Sequence, residues 1–270
     1  MNKNLQSDFA LRYGPWAVVT GASDGIGRGL AGELAAAGLN LVLVARREAE
    51  LAQLATGLAG RFAVKTQVVA ADLARPEGLV RVETSTRDLD VGLLVAAAGF
   101  GTSGFFLDAD PAAETDLLDL NCRAVLGQSL HFGRRFIRRG RGGLILFGSL
   151  VGFQGAPMAA HYAASKAYVQ TLGEALHVEL APCGVDVLVS APGPVHSGFA
   201  ARARIQMGAA ETPTTVARAT LGALGRKMTV TPGALSKFLT WSLMTAPRSL
   251  RTRIMGKIMN GMTQGRAEAG

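Results

Sequence analysis

Cysteine is nearly absent: the 270 residues contain two, Cys122 and Cys183. They lie in a helical and a post-helical context without metal-ligand spacing, which implies a reduced, cytoplasmic chain rather than a disulfide-stapled one. Long apolar runs are lacking too. No stretch of roughly 18 apolar residues occurs, and the start MNKNLQSDF has no apolar core, so neither a spanning helix nor a signal peptide is expected. Histidine is scarce, with four residues. His131, His161, His177 and His196 form no H-E-x-x-H or other compact ligand set, and no metal site is expected. His161 either starts a helix or shapes substrate access. No Pro/Gly-rich linker separates two patterned halves, so residues 1–270 are expected to form one domain.

What is present is apolar and basic. Forty-nine per cent of residues are hydrophobic, 34 are glycine, and the net charge is +8. Arg134, Arg135, Arg138, Arg139 and Arg141 are closely spaced, but they fall at the end of a predicted helix, where its dipole favours cations. No aromatic interleaving accompanies them, so nucleic acid is not an expected partner. Positive potential of this kind aids the capture of polyanionic small molecules, such as a phosphorylated dinucleotide or an acyl-CoA.

The stretch from Leu144 to Leu180 organises the rest. A β-rich run delivers Ser149 at its end, a loop follows, and a helix then carries Tyr162 and Lys166 four residues apart, on one face. A phenol can donate a proton, but with a free pKa near ~10 it needs a neighbouring cation to lower that value toward neutrality; Lys166 is expected to be that cation. Ser149 can hydrogen-bond a substrate carbonyl whose other lone pair faces Tyr162. The arrangement calls for a reductant. A seat for one appears near the N-terminus, where strand Trp16–Thr20 runs into Gly21-Ala22-Ser23-Asp24-Gly25-Ile26-Gly27 and then a helix. Such a turn lets backbone approach a pyrophosphate at a helix N-terminus. The second strand ends in Arg46 and Arg47, whose guanidinium groups suit a 2′-phosphate, so NADP(H) is the expected cofactor. Solvation of a helix start explains them less well, because cations oppose the dipole there.

Strands alternate with helices along the chain. Expected strands are Trp16–Thr20, Asn40–Ala45, Phe62–Ala70, Val91–Ala97, Leu144–Phe147, Val185–Ser190 and Met228–Val230. Pro111–Arg139 is expected to be one long helix carrying Asn121. This order implies an α/β fold, a single-domain, doubly wound parallel sheet (Rossmann-like) with a C-terminal helical extension at 232–262.

These motifs together resemble the classical short-chain dehydrogenase/reductase family over roughly Tyr13 to Phe199. The residues that carry the resemblance are TGASDGIG from Thr20, AAAG from Ala96, Asn121 in DLNCRAV, Ser149, the Tyr162/Lys166 pair and PGPV from Pro192. The start YGPWAVVTGASDGIG is similar to the branch containing 17-beta-hydroxysteroid dehydrogenases and very-long-chain 3-oxoacyl reductases. The resemblance implies a catalytic tetrad of Asn121, Ser149, Tyr162 and Lys166, with Asn121 holding a water that extends a proton relay. It also implies cofactor contacts from Gly21, Ser23, Asp24, Gly25, Ile26, Gly27, Ala98 and Gly99. Tyr162, Lys166, Pro192, Gly193, Val195 and Ser197 complete the nicotinamide end. Asp72 and Leu73 resemble the pair that flanks the adenine, although Asp72 can equally cap the next turn. The family usually has Asn-Asn-Ala-Gly where this chain has Ala96-Ala97-Ala98-Gly99. A bracing asparagine is therefore missing, and packing is expected to hold the central strands instead.

Val151, Phe153, Ala156, Pro157 and Met158, with Phe100, Phe105, Phe106 and Phe199, offer an apolar pocket for a small hydrophobic ketone or alcohol, a 3-oxoacyl chain or a sterol-like ring. A non-catalytic dinucleotide-binding scaffold or interaction protein is the opposing reading. Beyond Pro247, the residues Leu250, Ile254, Ile258 and Met262 recur every four positions, with Arg248, Arg251, Arg253 and Lys257 between them. This segment is expected to cover the crevice or join a second subunit; attachment to the periphery of an anionic membrane is the alternative. A homo-oligomer is expected, since the helices bearing Asn121 and Tyr162 resemble the family's subunit interface.

Overall fold

Short apolar runs separated by helices produce seven parallel strands in one sheet. The computed structural model describes residues 9–206 and 208–263. In chain order they are β1 (Trp16–Thr20), α1 (Gly25–Ala36), β2 (Asn40–Ala45), α2 (Glu48–Phe62), β3 (Thr66–Ala70), α3 (Pro76–Ser85) and β4 (Val91–Ala96). There follow α4 (Pro111–Leu118), α5 (Ala124–Arg139), β5 (Gly142–Phe147), α6 (Ala160–Leu180) and β6 (Val185–Ser190). The chain then forms α7 (Phe199–Ala203), α8 (Pro213–Ala223), β7 (Thr229–Val230), α9 (Ala234–Met244) and α10 (Arg248–Thr263). The strand order is β3-β2-β1-β4-β5-β6-β7. Its reversal between β1 and β4 opens the crevice at the carboxyl edge where such sheets bind ligands.

Alternation along each strand feeds two cores. Ala17, Val19, Leu93, Val95 and Ile145 face one side with Leu30 and Leu34 of α1. Val18, Leu94, Leu144 and Leu146 face the other with Phe132 and Phe136 of α5. Each fully buried leucine or phenylalanine contributes about 1.5–3 kcal/mol from apolar surface removed from water, which is why both faces of the sheet carry a helix layer.

Three expectations change. The third strand starts at Thr66, not Phe62, because Phe62 extends α2. Leu51, Leu54, Ala55 and Leu58 form the buried face of that helix, and Phe62 packs against the same core before Ala63 turns left-handed at φ 54°. The helix expected over Pro111–Arg139 is interrupted at Asp119–Arg123 by a π-turn, in which the Ala124 N–H reaches the Asp119 carbonyl. Such widened turns recur at functional sites, and this one carries Asn121.

The third concerns the missing asparagine. Packing alone does not hold β1 to β4, because the buried Thr20 hydroxyl donates to the Val95 carbonyl at 3.4 Å and accepts from the Ala98 N–H at 3.2 Å. Thr20→Val keeps the shape but leaves Ala98 N–H without that partner, at a cost of about 1–3 kcal/mol. The thermal midpoint should fall by about 2–4 °C for each kcal/mol lost in a domain of this size. An unchanged melting curve would return the junction to packing alone.

Candidate active site

All strands point their carboxyl ends to one edge, where a cleft of about 630 Å³ opens. Its floor at one end is the glycine turn. Gly21 sits at φ 68°, and a Cβ there would lie 2.9 Å from the Ala97 oxygen; a Cβ on Gly27 would lie 2.3 Å from the Gly21 oxygen. Only glycine allows this closeness between turn and helix start. Asp24 caps α1, accepting from Gly25 N at 2.7 Å, and its second oxygen accepts from Gly198 N at 3.0 Å. The turn is thereby tied to the loop after β6. Ser23, Gly25, Ile26, Ala98, Gly99, Pro192, Gly193, Val195 and Ser197 line the same cleft.

Arg46 and Arg47 lie at its outer end. Arg47 donates to the Ser23 hydroxyl at 3.1 Å and pairs with Glu50 at 3.5 Å. It makes no side-chain cap on α2. Asp72 and Leu73 also line the cleft, while an Asp72 oxygen accepts from Ala74 N at 3.0 Å. Asp72 therefore serves its turn and faces the cleft at once.

At the other end, β5 and α6 bring Ser149, Tyr162 and Lys166 together. Lys166 is buried and donates to the Phe147 carbonyl at 2.9 Å, its Nζ lying 5.7 Å from the centre of the Tyr162 ring. Burial pushes the Tyr162 phenol up to about 12, against a hydrogen bond with Ser149 that pulls it down. Burial also lowers the Lys166 ammonium to about 8. The expected lowering of the phenol by Lys166 is thus not met: desolvation of the ring outweighs its polar neighbour. Tyr162 holds its proton at neutral pH. Phe199 packs on it with ring centres 5.4 Å apart.

Asn121 is buried behind this pair. Its Oδ1 accepts from Phe100 N at 3.1 Å, and its Nδ2 donates to the Phe100 carbonyl at 2.8 Å and to the Ser165 hydroxyl at 3.1 Å. Both amide hydrogens are committed to the loop after β4 and to α6. The side chain fixes those two elements against each other.

The short chain dehydrogenase pattern matches residues 15–208. The chain belongs to that family. It is 34% identical over 186 residues to the 7beta-hydroxysteroid dehydrogenase of Clostridium sardiniense, covering 69% of this chain and 71% of that protein. It is 36% identical over 181 residues to the very-long-chain 3-oxoacyl-CoA reductase of Podospora anserina, covering 65% of this chain but 53% of that longer protein. Among solved structures, one of a 7beta-hydroxysteroid dehydrogenase superposes with a TM-score of 0.85 at 27% identity, covering 92% of this chain and 98% of the other. A short-chain dehydrogenase from Sphingobium yanoikuyae in complex with NADPH gives 0.77 at 30% identity, over 87% and 96%. The chain is an NAD(P)-dependent short-chain dehydrogenase/reductase, an oxidoreductase acting between carbonyl and alcohol.

The family's NADPH has a matching seat here. The glycine turn leaves backbone bare at the start of α1, and two guanidinium groups stand where β2 ends, Arg47 pairing with Glu50 of the next turn. Sequence reasoning missed part of the site. Arg202 of α7 lines the cleft with its guanidinium 3.8 Å above the Phe100 ring, and burial together with the facing Arg46 charge holds it below its ordinary range. Thr240, Leu243, Met255, Met259 and Met262 form the far wall. The repeat of four read in α10 is met in part: Ile258 and Met262 line the cleft, but Met255, Gly256 and Met259 form the buried stripe and Leu250 is exposed. Of the expected pocket residues, Phe100, Val151, Phe153 and Phe199 line the cleft. Ala156 is buried in a cluster with Met255, and Phe105 and Phe106 face outward. The side chains of Leu235, Leu239 and Met244 in α9 lie outside the described residues, as do the chain ends 1–8 and 264–270.

Proposed function

We propose that the protein is an NADPH-dependent reductase of a lipophilic ketone, steroid-like or 3-oxoacyl, and that it runs the reverse oxidation when the alcohol is in excess. The observation that carries this reading is Tyr162, a protonated phenol beside Ser149 at the inner end of a cleft whose outer end holds Arg46 and Arg47 and whose far wall is methionine, leucine and phenylalanine. The names of the relatives, a hydroxysteroid dehydrogenase and a 3-oxoacyl-CoA reductase, agree with a large apolar substrate.

Bound NADPH supplies the hydride. Ser149 donates a hydrogen bond to the substrate oxygen as negative charge grows on it, and Tyr162 delivers its proton to the same atom. Lys166 places positive charge behind the phenol and reaches toward the nicotinamide ribose. Asn121 acts by position, since its amide is spent on Phe100 and Ser165; a relay water would have to be held by main-chain atoms of the widened turn. Arg46 and Arg47 hold the 2′-phosphate, and the glycine turn holds the pyrophosphate. Val195 and Ser197 would contact the carboxamide, and the Met255–Met262 wall would exclude water from the reacting carbon. A dinucleotide-binding scaffold without chemistry would not require the Ser149, Tyr162 and Lys166 set to be intact.

A homo-oligomer built on α5 and α6 belongs to the same reading. Leu126, Leu130 and Ile137 of α5 and Tyr168 and Val178 of α6 are exposed apolar residues. Light scattering of the purified protein should give a multiple of 28.1 kDa; a monomer at micromolar concentration would remove the interface from the proposal.

Arg46→Ala and Arg47→Ala should each weaken NADPH binding by about tenfold or more while leaving NADH binding nearly unchanged, as expected for loss of a charge-assisted phosphate contact. Fluorescence titration with both cofactors decides it, and equal losses for both would refute the phosphate assignment.

Tyr162→Phe should bind NADPH normally and lose at least ~10²-fold in kcat. The pH profiles follow from the two displaced groups. Ketone reduction should hold through neutral pH, where Tyr162 is protonated and Lys166 charged, and decline above about 8 as Lys166 loses its proton. Alcohol oxidation needs the phenolate and should rise with pH toward about 12. A Tyr162→Phe protein within about threefold of the parent rate, or an oxidation profile flat across the alkaline range, would sink this mechanism.

A further inference from the structure

Helices α9 and α10 form a helical hairpin in chain order, joined through residues 245–247, and each has a face toward the cleft and a face away from it. The inner face is accounted for: Ser236 is buried, Thr240 and Leu243 line the cleft, and Met255, Gly256 and Met259 pack inward, with Met259 also lining it. The outer face carries large apolar side chains that are exposed among the described residues. Trp241 is 68% exposed and Phe238 61% exposed, one helical turn apart on α9. Leu250 and Ile258 of α10 are exposed as well, and Ile258 also borders the cleft. Ordinary surface places such residues singly, so a group at the mouth of a cleft calls for an occupant.

Charge identifies the occupant. Lys237, Arg248, Arg253 and Lys257 are exposed on the same two helices. Between Thr212 and Thr263 the sequence has no aspartate or glutamate. Two copies meeting through this face would bring like charges together, which an isologous contact has to match against itself. An anionic bilayer has the opposite sign and accepts a tryptophan and its apolar neighbours at the headgroup boundary. Among the described residues no helix is long and apolar enough to cross a membrane, so the contact is one of docking rather than insertion across it.

We propose that the outer face of the α9–α10 hairpin docks on an anionic lipid surface, seating Phe238 and Trp241 in the headgroup layer with the mouth of the cleft beside it. The inference stands on this surface and does not depend on which carbonyl compound enters the cleft.

The test uses the full chain with vesicles of phosphatidylcholine alone or mixed with phosphatidylglycerol. The protein should sediment with the mixed vesicles at low salt, be released as salt rises, and bind phosphatidylcholine alone weakly. Trp241 emission should shift to the blue on binding, and Trp241→Ser identifies its share against the second tryptophan, Trp16. Arg253→Glu with Lys257→Glu should weaken partition by at least about tenfold; Phe238→Ser with Trp241→Ser should do so as well. NADPH titration, which these surface changes should leave unaltered, shows that each variant is folded. If the double serine variant fails that control, the charge-reversal pair decides alone. Three results would overturn the proposal. They are no binding to mixed vesicles at low salt, binding that survives both variant pairs, and a blue shift that follows protein concentration without lipid, which would assign the face to a second copy.

Discussion

Burial of Lys166 at the end of β5 is the constraint on which the site depends. Helix α6 carries the ammonium into the sheet edge, where the Phe147 carbonyl accepts from it, and Tyr162 stands one turn earlier on the same face. Removing both groups from water moves them in opposite directions, the phenol up and the ammonium down. A buried cation is costly unless it is hydrogen-bonded, and here the cost is met by a strand end that stays in place because both its neighbours, β4 and β6, are in register with it. The acid therefore stays protonated at neutral pH while the positive charge behind it remains available.

The loops above the sheet are fastened to one another as much as to the strands. Asp24 joins the glycine turn to Gly198, Asn121 joins the loop after β4 to α6, and the Ser103 hydroxyl donates to the Ala203 carbonyl at 2.6 Å. The Gln206 N–H reaches the Met262 carbonyl at 2.9 Å, tying the segment after α7 to the end of α10. Cofactor side and substrate side are thus coupled through polar contacts at the rim. The apolar wall between them is largely methionine, which adapts its shape to an irregular ligand more readily than branched side chains do.

Positive charge is distributed in two ways with different consequences. Arg46, Arg47 and Arg202 converge on the cleft, where burial and then the facing Arg46 charge hold Arg202 below its ordinary range, a state that a bound anion would relieve. Lys237, Arg248, Arg253 and Lys257 spread over the hairpin's outer face among exposed apolar residues. A net charge alone does not distinguish these patterns, because it carries no position.

Much of this was readable in the amino-acid order, for a local reason. Strand alternation, the glycine turn, the four-residue spacing of Tyr162 and Lys166 and the arginines ending β2 are each written within a few consecutive residues, and backbone sterics and helical period translate them directly into placement. The doubly wound parallel sheet and the family resemblance followed from their succession. What only the tertiary structure decided depends on residues far apart in sequence. Thr20 braces Ala98 across 78 positions, a polar tie at the junction that a reading of the Ala96–Gly99 segment alone does not contain. The π-turn at Asn121 appears only in the folded backbone, where the Ala124 N–H reaches the Asp119 carbonyl. Burial, not the adjacent charge, governs Tyr162, and burial is a property of everything packed around it. In α10 two apolar stripes were available to the period of the helix; the fold buried Met255 and Met259, set Ile258 and Met262 at the border of the cleft and left Leu250 outside, because which face turns inward is set by the surface it lands on.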